Sequence, residues 1–355
     1  IKRVQELMKQ TNPNVRLSCA TTNYLNVNGM RNDTLGYRVF LDSIKPEIFT
    51  NDIHEVPWII PNSLISTTPF QGAVLVSPSV YNEDLQYRFG SKTRNDHEGS
   101  LVYQLTFVRE QRNSYKPDAR LIVQPQLHAN LVRSDSTMDY EGGREPTNEE
   151  IQSQAMISIA HGVDGLGWVL YQSFSLIFTN GSEQTAIGLL NFPIPVDTAK
   201  PRKVNHYGQN KWDYVCNMNK KILNWKPTLD KISWQDGYSV HSETAEHIYI
   251  SDIKSIKRNP AFGYTDDPTC IYCDASNERY WEMGFFNPDS SWDKSKYFIM
   301  VNRRCVPDTP NYGTGDVRAL RIKFNSSELT NFVNWKIIDV NNNSCLLYTS
   351  PSPRD

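Results

Sequence analysis

Apolar residues in the first part of the chain recur at the spacing of amphipathic helices and also form short, continuous runs. The clearest helical stripe consists of Ile151, Ala155 and Ile159. It is followed by an apolar and aromatic run at 166–171, which is the pattern of a strand buried on both faces of a parallel sheet. One helix followed by one core strand is the repeating joint of an α/β barrel.

The ends of this helix are marked by local signals. Thr147 with Glu150 three residues later has the pattern of a capping box, and Pro146 disfavours an earlier start. Gly162 follows the last apolar position of the stripe. We therefore predict a helix that is capped by Thr147 and ends at the glycine.

Similar strand and helix patterns precede and follow this stretch. The predicted strands are 15–21, 47–52, 120–128 and 166–171, and the predicted helices are 1–8, about 34–44, 98–114 and 204–225. Long connections lie at 57–96 and 173–203, where 175–178 and 186–192 are candidate short strands, and 129–145 is a predicted loop. This succession favours one half of an eight-fold barrel, with a doubly wound open sheet as the alternative.

From about Gly237 the pattern changes to short alternating strands separated by turn residues. They are predicted at 248–256, 269–273, 279–286, 296–302, 319–324 and 335–340. We expect an α/β chain: the C-terminal half of a TIM (β/α)8 barrel at 1–235, comprising its last four strands and helices, and an antiparallel β-sandwich domain at 236–344.

Both ends of the sequence look artificial. Residue 1 falls inside a predicted helix, and no initiator Met or signal peptide precedes it. Residues 345–355 match the translation of a transposase sequencing adapter, although a natural tail rich in Ser and Pro is an alternative. We therefore expect a fragment from assembled environmental DNA that lacks the first half of its barrel.

Composition excludes several partners. A formal net charge of -2 and a pI near 6.4 give no basic excess for nucleic acid, and no apolar run is long enough to span a membrane. Of six cysteines one falls in the tail, and the remaining odd number does not form a disulfide framework. Cys270 and Cys273 form a lone C-x-x-C pair, for which two strand-borne thiols are favoured over a zinc site. We expect no metal and no cofactor.

Several segments resemble a family of known proteins. The pattern Arg144-x-Pro-Thr-x-x-Glu150-Ile, followed by Ala160-His-Gly162 and by Gly-Leu-Gly-Trp-Val-Leu-Tyr at 165–171, resembles the last part of a (β/α)8 glycoside hydrolase barrel. Segments 45–52, 123–126 and 297–303 are similar to further strands of such proteins. The resemblance implies a secreted, periplasmic or cell-surface protein that acts on a poly- or oligosaccharide through two carboxyl groups.

The sequence departs from this family at one position. Retaining members usually carry a nucleophilic glutamate at the end of the seventh strand, where this chain has Gln124, Gln126 and His128. The usual acid/base would lie before Ile1, so we expect the fragment to be inactive alone. A barrel that binds carbohydrate without cleaving it is therefore the alternative. A phosphate-using enzyme is disfavoured, because no Gly-rich phosphate loop follows a predicted strand.

Candidate site residues cluster where predicted barrel strands end, which is where barrel enzymes bind substrate. The catalytic candidates are Asp52, Glu55 and Glu141. The candidates for sugar binding are Asn51, His54, Gln124, Gln126, His128, Arg144 and Tyr171.

Each candidate has a structural alternative. The residues around Asp52 fit a turn cap, the amides fit packing polar groups, and the charges at 139–144 fit a solvated loop. Tyr171 and Trp168 fit either sugar stacking or a core. His161 is interpreted as a helix-end residue favoured by the dipole, and not as a ligand.

Overall fold

A computed structural model gives the fold. It describes residues 2–14, 18–22, 48–53, 105, 108–110, 112–113, 117–134, 137–140, 146–177, 183–190, 209–240, 249–257, 281–302, 308–309, 313–314, 318–325, 337–339 and 344–346. The helices are α1 (Lys2–Thr11), α2 (Asn148–Ala160) and α3 (Lys211–Leu229). The strands are β1 (Ser18–Thr22), β2 (Ile48–Ile53), β3 (Arg120–Pro125), β4 (Ala129–Ser134), β5 (Thr137–Tyr140), β6 (Gly165–Leu166), β7 (Phe174–Ile177), β8 (Glu183–Ile187), β9 (Ile232–Val240), β10 (Ile250–Lys257), β11 (Trp281–Pro288), β12 (Tyr297–Asn302), β13 (Asp308–Thr309), β14 (Gly313–Thr314), β15 (Arg318–Phe324), β16 (Ile337–Asp339) and β17 (Ser344–Leu346).

A parallel sheet forms from four of the strands predicted in the first part of the chain. Its order is β1-β2-β3-β6, and every neighbouring pair is parallel. Strands that are consecutive among these four are therefore neighbours in the sheet. The predicted helix at 34–44 lies outside the described residues, whereas 105, 108–110 and 112–113 of the helix predicted at 98–114 are helical.

Strand β6 is shorter than the buried strand predicted at 166–171. After Leu166 the pairing becomes irregular: Gly167 and Val169 still donate to the Val123 and Pro125 carbonyls, an isolated bridge joins Gln126 to Val169, and residues 165–170 are half-buried. The bond between Val169 and Leu170 is a cis peptide. The apolar run was therefore correctly placed beside β3, but the prediction of a fully buried regular strand was wrong.

The predicted capping box of α2 is confirmed. The Thr147 hydroxyl accepts the backbone N–H of Glu150 at 3.2 Å, and the Glu150 carboxylate accepts the backbone N–H of Thr147 at 2.8 Å. At the other end Gly162 has a φ of 72°, the left-handed conformation that commonly terminates helices. Local sequence chemistry therefore sets both ends of this helix.

Helix α3 carries the predicted stripe, since Val215 and Met218 are buried and Ile222 packs against the same core. It begins later than the predicted residue 204, because the Asn210 side chain accepts the backbone N–H of Asp213 at 3.0 Å and caps the helix there.

A second sheet joins the two connecting segments. Its order is β5-β4-β8-β7, with all neighbours antiparallel. Strand β7 agrees with the short strand predicted at 175–178, whereas β8 lies earlier than the one predicted at 186–192 and shares only residues 186 and 187 with it. The prediction of a loop at 129–145 was wrong for 129–134 and 137–140, because these residues pair with each other and with β8.

The C-terminal strands form antiparallel pairs, as their alternation predicted. One sheet has the order β12-β11-β9, and β10 pairs with β15. Side chains of both sheets meet in a cluster that contains Ile250, Met283 and Phe285 with Phe298 and Phe324. The predicted strand at 269–273, with Cys270 and Cys273, lies outside the described residues.

The main core crosses the predicted domain boundary. Buried residues of α2, such as Ile157 and Ala160, pack in the same cluster as Val301 of β12. The boundary predicted between 235 and 236 falls within β9, and the tail predicted from 345 begins within β17, which pairs with β16. In the described part of the chain, no helix is long and apolar enough to cross a membrane.

Candidate functional site

The carboxyl ends of three parallel strands meet at one register level. Thr22 of β1 is paired with Asp52 of β2, and Asp52 is paired with Gln124 of β3. Asn51 is paired instead with Val123, a residue of the main core. Because successive strand positions alternate between sheet faces, positions 51 and 52 belong to opposite faces, and position 52 shares its face with Gln124.

Gln124 is half-buried at this level and contacts the segment after β6. A Cβ atom built on Gly167 would lie 3.4 Å from the Gln124 Cγ atom, an ordinary van der Waals distance, so the two residues are close neighbours. The Gln124 amide makes no hydrogen bond to another residue in the described ranges. An amide with unused donors and acceptors at the register level of position 52 can bind hydroxyl groups.

Gln126 has a different environment, since it is only 1% exposed. Its Nε2 group donates to the His128 carbonyl at 2.8 Å, and its backbone N–H donates to Gln154 Oε1 at 3.0 Å. Gln154 Nε2 in turn donates to the Gln126 carbonyl at 3.3 Å. These contacts fit the structural alternative for Gln126: its amide holds the chain after β3, and the Gln154 amide ties the Gln126 main chain to α2.

His128 and Lys211 are buried next to each other along this chain segment. The His128 ring Nδ1 lies 3.3 Å from the Val169 carbonyl oxygen, and Lys211 Nζ donates to the Leu127 carbonyl at 2.5 Å. Lys211 is fully buried although it is the first residue of α3. A buried lysine is uncommon, and its charge requires polar partners.

Sequence reasoning missed Lys211. The available signal was the cap formed by Asn210 and Asp213, which places the helix start and hence the lysine beside the strand ends. A positive charge at the start of a helix is unfavourable because of the helix dipole. A lysine at this position therefore indicates that its side chain makes a specific contact elsewhere.

Two aromatic residues lie near this lysine. Tyr171 is 56% exposed, and its ring centroid is 6.2 Å from that of Trp212, the residue after Lys211. Trp168 points elsewhere, because its Nε1–H donates to Asn219 Oδ1 at 2.9 Å and its ring packs against the main core. Tyr171 is therefore available to a ligand, whereas Trp168 is a core residue.

The starts of α2 and α3 are tied together beside these residues. Gln209 Oε1 accepts the backbone N–H of Asn148 at 2.9 Å, and Gln209 Nε2 donates to Glu149 Oε2 at 2.8 Å. These bonds fix the helix starts relative to each other, which positions Lys211 and Trp212.

The remaining candidates are placed only in part. Asp52 and Asn51 are located by backbone pairing, whereas His54, Glu55, Glu141 and Arg144 lie outside the described residues. No cluster of three or more metal-ligating side chains occurs within the described ranges.

His161 lies at the C-terminal end of α2, as predicted, and contacts the C-terminal strands. Its Nε2 atom is 2.6 Å from Glu282 Oε1, and both side chains are fully buried. Trp234 Nε1–H donates to the Ala160 carbonyl at 3.0 Å, and the Arg109 guanidinium lies 3.5 Å from the Trp234 ring centroid. This buried junction joins α2 to β9 and β11, and it is separate from the strand-end residues.

No protein-family model, no curated protein and no solved structure matches the chain. The resemblance to glycoside hydrolase barrels therefore stays a prediction.

Proposed function

We propose that this chain is a glycoside hydrolase-like protein whose parallel strands are part of a (β/α)8 barrel and whose later strands form a β-sandwich. The observation that supports the proposal best is the register of Asp52 and Gln124 at the carboxyl end of a parallel sheet. The strand order β1-β2-β3-β6 supports the barrel over a doubly wound sheet, because it contains no reversal of direction.

The substrate class follows from the chemistry of the strand-end groups. A sugar presents several hydroxyl groups, which donate and accept, and apolar ring faces. Gln124 supplies an amide that does both, and exposed Tyr171 supplies an aromatic ring. Polar and aromatic groups together at the carboxyl ends of strands favour a poly- or oligosaccharide over a charged cofactor.

Asp52 is the candidate acid/base of this proposal. Glycoside hydrolysis uses two carboxyl groups, and Glu55 and Glu141 are the proposed alternatives for the second. Gln124, at the register level of Asp52, orients a sugar hydroxyl in this scheme. Lys211 and Gln126 maintain the chain after β3 in position.

A second candidate function is carbohydrate binding without cleavage. It is favoured by one specific observation: the residue paired with Asp52 on β3 is an amide and not a second carboxylate. An amide can bind a hydroxyl group, but it cannot act as a nucleophile or as a general base.

The test measures binding and product release separately. Calorimetry with neutral hexasaccharides of glucose, xylose and mannose measures binding. Chromatography of the same mixtures detects any shorter oligosaccharides that cleavage releases. Where the unmodified protein releases product, Asp52→Asn should lower that release by about 100-fold or more and leave affinity within about threefold, because it removes the proton-transfer group and retains a polar side chain. Gln124→Ala should weaken binding about tenfold through loss of hydroxyl contacts.

Glu6→Gln on exposed α1 neutralises a carboxylate far along the chain from the strand ends and serves as the control. Binding without product is also expected of a hydrolase fragment that is inactive alone, so the second candidate is selected only if the product of the whole gene likewise binds without cleaving. Neither binding nor product, from a chain with a cooperative unfolding transition, would overturn both.

A further inference from the structure

The first turn of α3 carries a buried lysine that bonds to a distant part of the chain. Lys211 is fully buried, and its Nζ group donates to the carbonyl of Leu127, 84 positions earlier, at 2.5 Å. Asn210 fixes the start of the same helix, because its side chain accepts the backbone N–H of Asp213 at 3.0 Å. An ammonium group removed from water needs a polar partner, so this bond joins the start of α3 to the chain after β3.

The chain after β3 is bonded in turn to the segment that carries Tyr171. The backbone N–H of Leu127 donates to the Val169 carbonyl at 2.5 Å, and the His128 ring Nδ1 lies 3.3 Å from the same oxygen. Val169 precedes Tyr171 by two residues. The carbonyl of Leu127 therefore meets the helix, and its N–H meets the segment that leads to the tyrosine.

The main chain of Tyr171 is also held from the side of β8. The Tyr171 carbonyl accepts the backbone N–H of Leu190 at 2.8 Å, and two residues later the Ser173 hydroxyl donates to the Leu190 carbonyl at 2.5 Å. Ser173 Oγ also accepts the backbone N–H of Gly188 at 2.9 Å. With its backbone fixed in this way, the orientation of the Tyr171 ring depends on what the ring contacts.

Trp212 contacts the ring of Tyr171. The two ring centroids are 6.2 Å apart and the ring planes meet at 53°, which is a favourable tilted arrangement. Trp212 packs against the main core, whereas Tyr171 is 56% exposed. Because Trp212 follows Lys211 directly, the lysine that anchors the first turn of α3 also determines where the tryptophan ring stands. The core therefore supports one ring, and that ring supports the other.

We propose that Lys211 and Trp212 are positioning residues for the stacking of a sugar on Tyr171. Lys211 anchors the first turn of α3 to Leu127, Trp212 holds the Tyr171 ring in one orientation, and neither side chain touches the sugar. A ring that is already oriented needs little ordering when a ligand binds, so it binds more tightly than a freely rotating ring. This role rests on the proposed function, in which Tyr171 supplies the aromatic ring.

The first measurement needs no ligand. Tyrosine ring carbons are isotopically labelled in the complete chain, and Tyr171→Phe assigns the NMR signal of the Tyr171 ring, whose position depends on the neighbouring tryptophan ring. Lys211→Met and Trp212→Leu should both move this signal toward its position in the unfolded chain. Trp212→Phe retains an aromatic ring and should move it less. Leu223→Ala removes an apolar side chain that is 63% exposed on the same helix, and it should leave the signal unchanged.

The second measurement uses calorimetry with the glucose, xylose and mannose hexasaccharides. Tyr171→Ala should weaken binding of at least one of them by about threefold to tenfold, because it removes the stacking ring. Lys211→Met should weaken the same binding by about threefold. In the double variant the lysine change should add less than about twofold, because a residue that acts through Tyr171 loses its effect once that ring is gone. If urea unfolding shows that Lys211→Met does not fold, Trp212→Leu takes its place in both measurements.

The outcomes separate this role from the proposed function. A moved Tyr171 signal together with a non-additive loss of affinity supports the positioning role. An unmoved signal in Lys211→Met overturns it, and so does a loss of affinity that multiplies fully with that of Tyr171→Ala. Both of these results leave the proposed function standing. Binding to no hexasaccharide, from an unmodified chain with a cooperative unfolding transition, overturns the proposed function and the positioning role together.

Discussion

His161 at the end of α2 and Glu282 in β11 form a fully buried pair, with 2.6 Å between Nε2 and Oε1. The two residues are 121 positions apart in the chain. They join a helix that packs on the parallel sheet to a strand of the C-terminal sheet. Polar groups removed from water require such partners, so the pair fixes how these two elements meet.

Loss of this partner should destabilise the fold. Glu282→Ala leaves the His161 ring buried without its carboxylate, and we expect a loss of about 3 to 5 kcal/mol in the free energy of unfolding. Glu282→Gln should lower the free energy of unfolding less, because the glutamine amide oxygen can still accept a hydrogen bond from a neutral His161 ring. Urea denaturation followed by circular dichroism measures both.

The matched control for this prediction is an exposed ion pair. Lys226 and Asp230 pair on the surface of α3, with side chains 60% and 57% exposed. Lys226→Gln should cost no more than about 1 kcal/mol. If Glu282→Ala lowered the free energy of unfolding no more than Lys226→Gln does, the buried pair would not be what holds the junction together.

The same junction requires glycine in β11. A Cβ atom at position 284 would lie 1.8 Å from the Ala160 carbonyl oxygen, and one at position 237 would lie 2.6 Å from His161 Cε1. Gly284→Ala should therefore cost about 3 kcal/mol or more, since backbone has to move. Thermal and urea unfolding measure this cost.

Gly165 provides the control, because a Cβ atom there would meet Ile122 Cγ1 at an ordinary 3.6 Å. Gly165→Ala should remain within about 1 kcal/mol of the unmodified chain. Equal effects of the two alanine substitutions would contradict a close approach of β11 to α2.

The carboxylate of Asp293 should make the free energy of unfolding depend on pH in the acidic range. Hydrogen bonds from Ser295 lower its pKa in the folded chain, so the folded state binds this proton more weakly than the unfolded state does. The resulting stabilisation is present above the ordinary carboxyl range and is lost as the pH falls through the folded pKa.

The measurement compares urea midpoints of the unmodified chain and Asp293→Asn between pH 2.5 and pH 7. Other titrating groups contribute to both proteins and largely cancel in the difference. The difference should be constant above about pH 5 and shrink below about pH 4. A difference that does not change with pH would show that the Asp293 carboxylate is not held by these bonds.

Local signals predicted the parts of the fold that depend on neighbours in sequence. The Thr147 cap, the Gly162 end of α2 and the buried stripe of α3 follow from spacings of three or four residues. The hairpin formed by β4 and β5 was missed, because β4 pairs with β8 about fifty residues later and the polar sequence at 129–140 resembles a loop.

For the candidate site, the sequence placed Asp52 and Gln124 at strand ends, and the backbone pairing brings them to one register level. It could not distinguish Gln124 from Gln126, since both are amides on alternate positions of one strand. Only the folded chain shows that the Gln126 amide donates to the His128 carbonyl, while Gln154 bonds to the Gln126 main chain.

The sequence by itself therefore determined the parallel strands β1, β2 and β3, where α2 begins and ends, and which polar residues lie at the ends of β2 and β3. These properties depend on hydrogen bonds and side-chain periodicity within a few residues. Tertiary structure alone decided that Lys211 is buried with its Nζ group bonded to the Leu127 carbonyl and that His161 pairs with Glu282. Such contacts join residues far apart in the chain, and burial makes their partners obligatory only after the chain has packed.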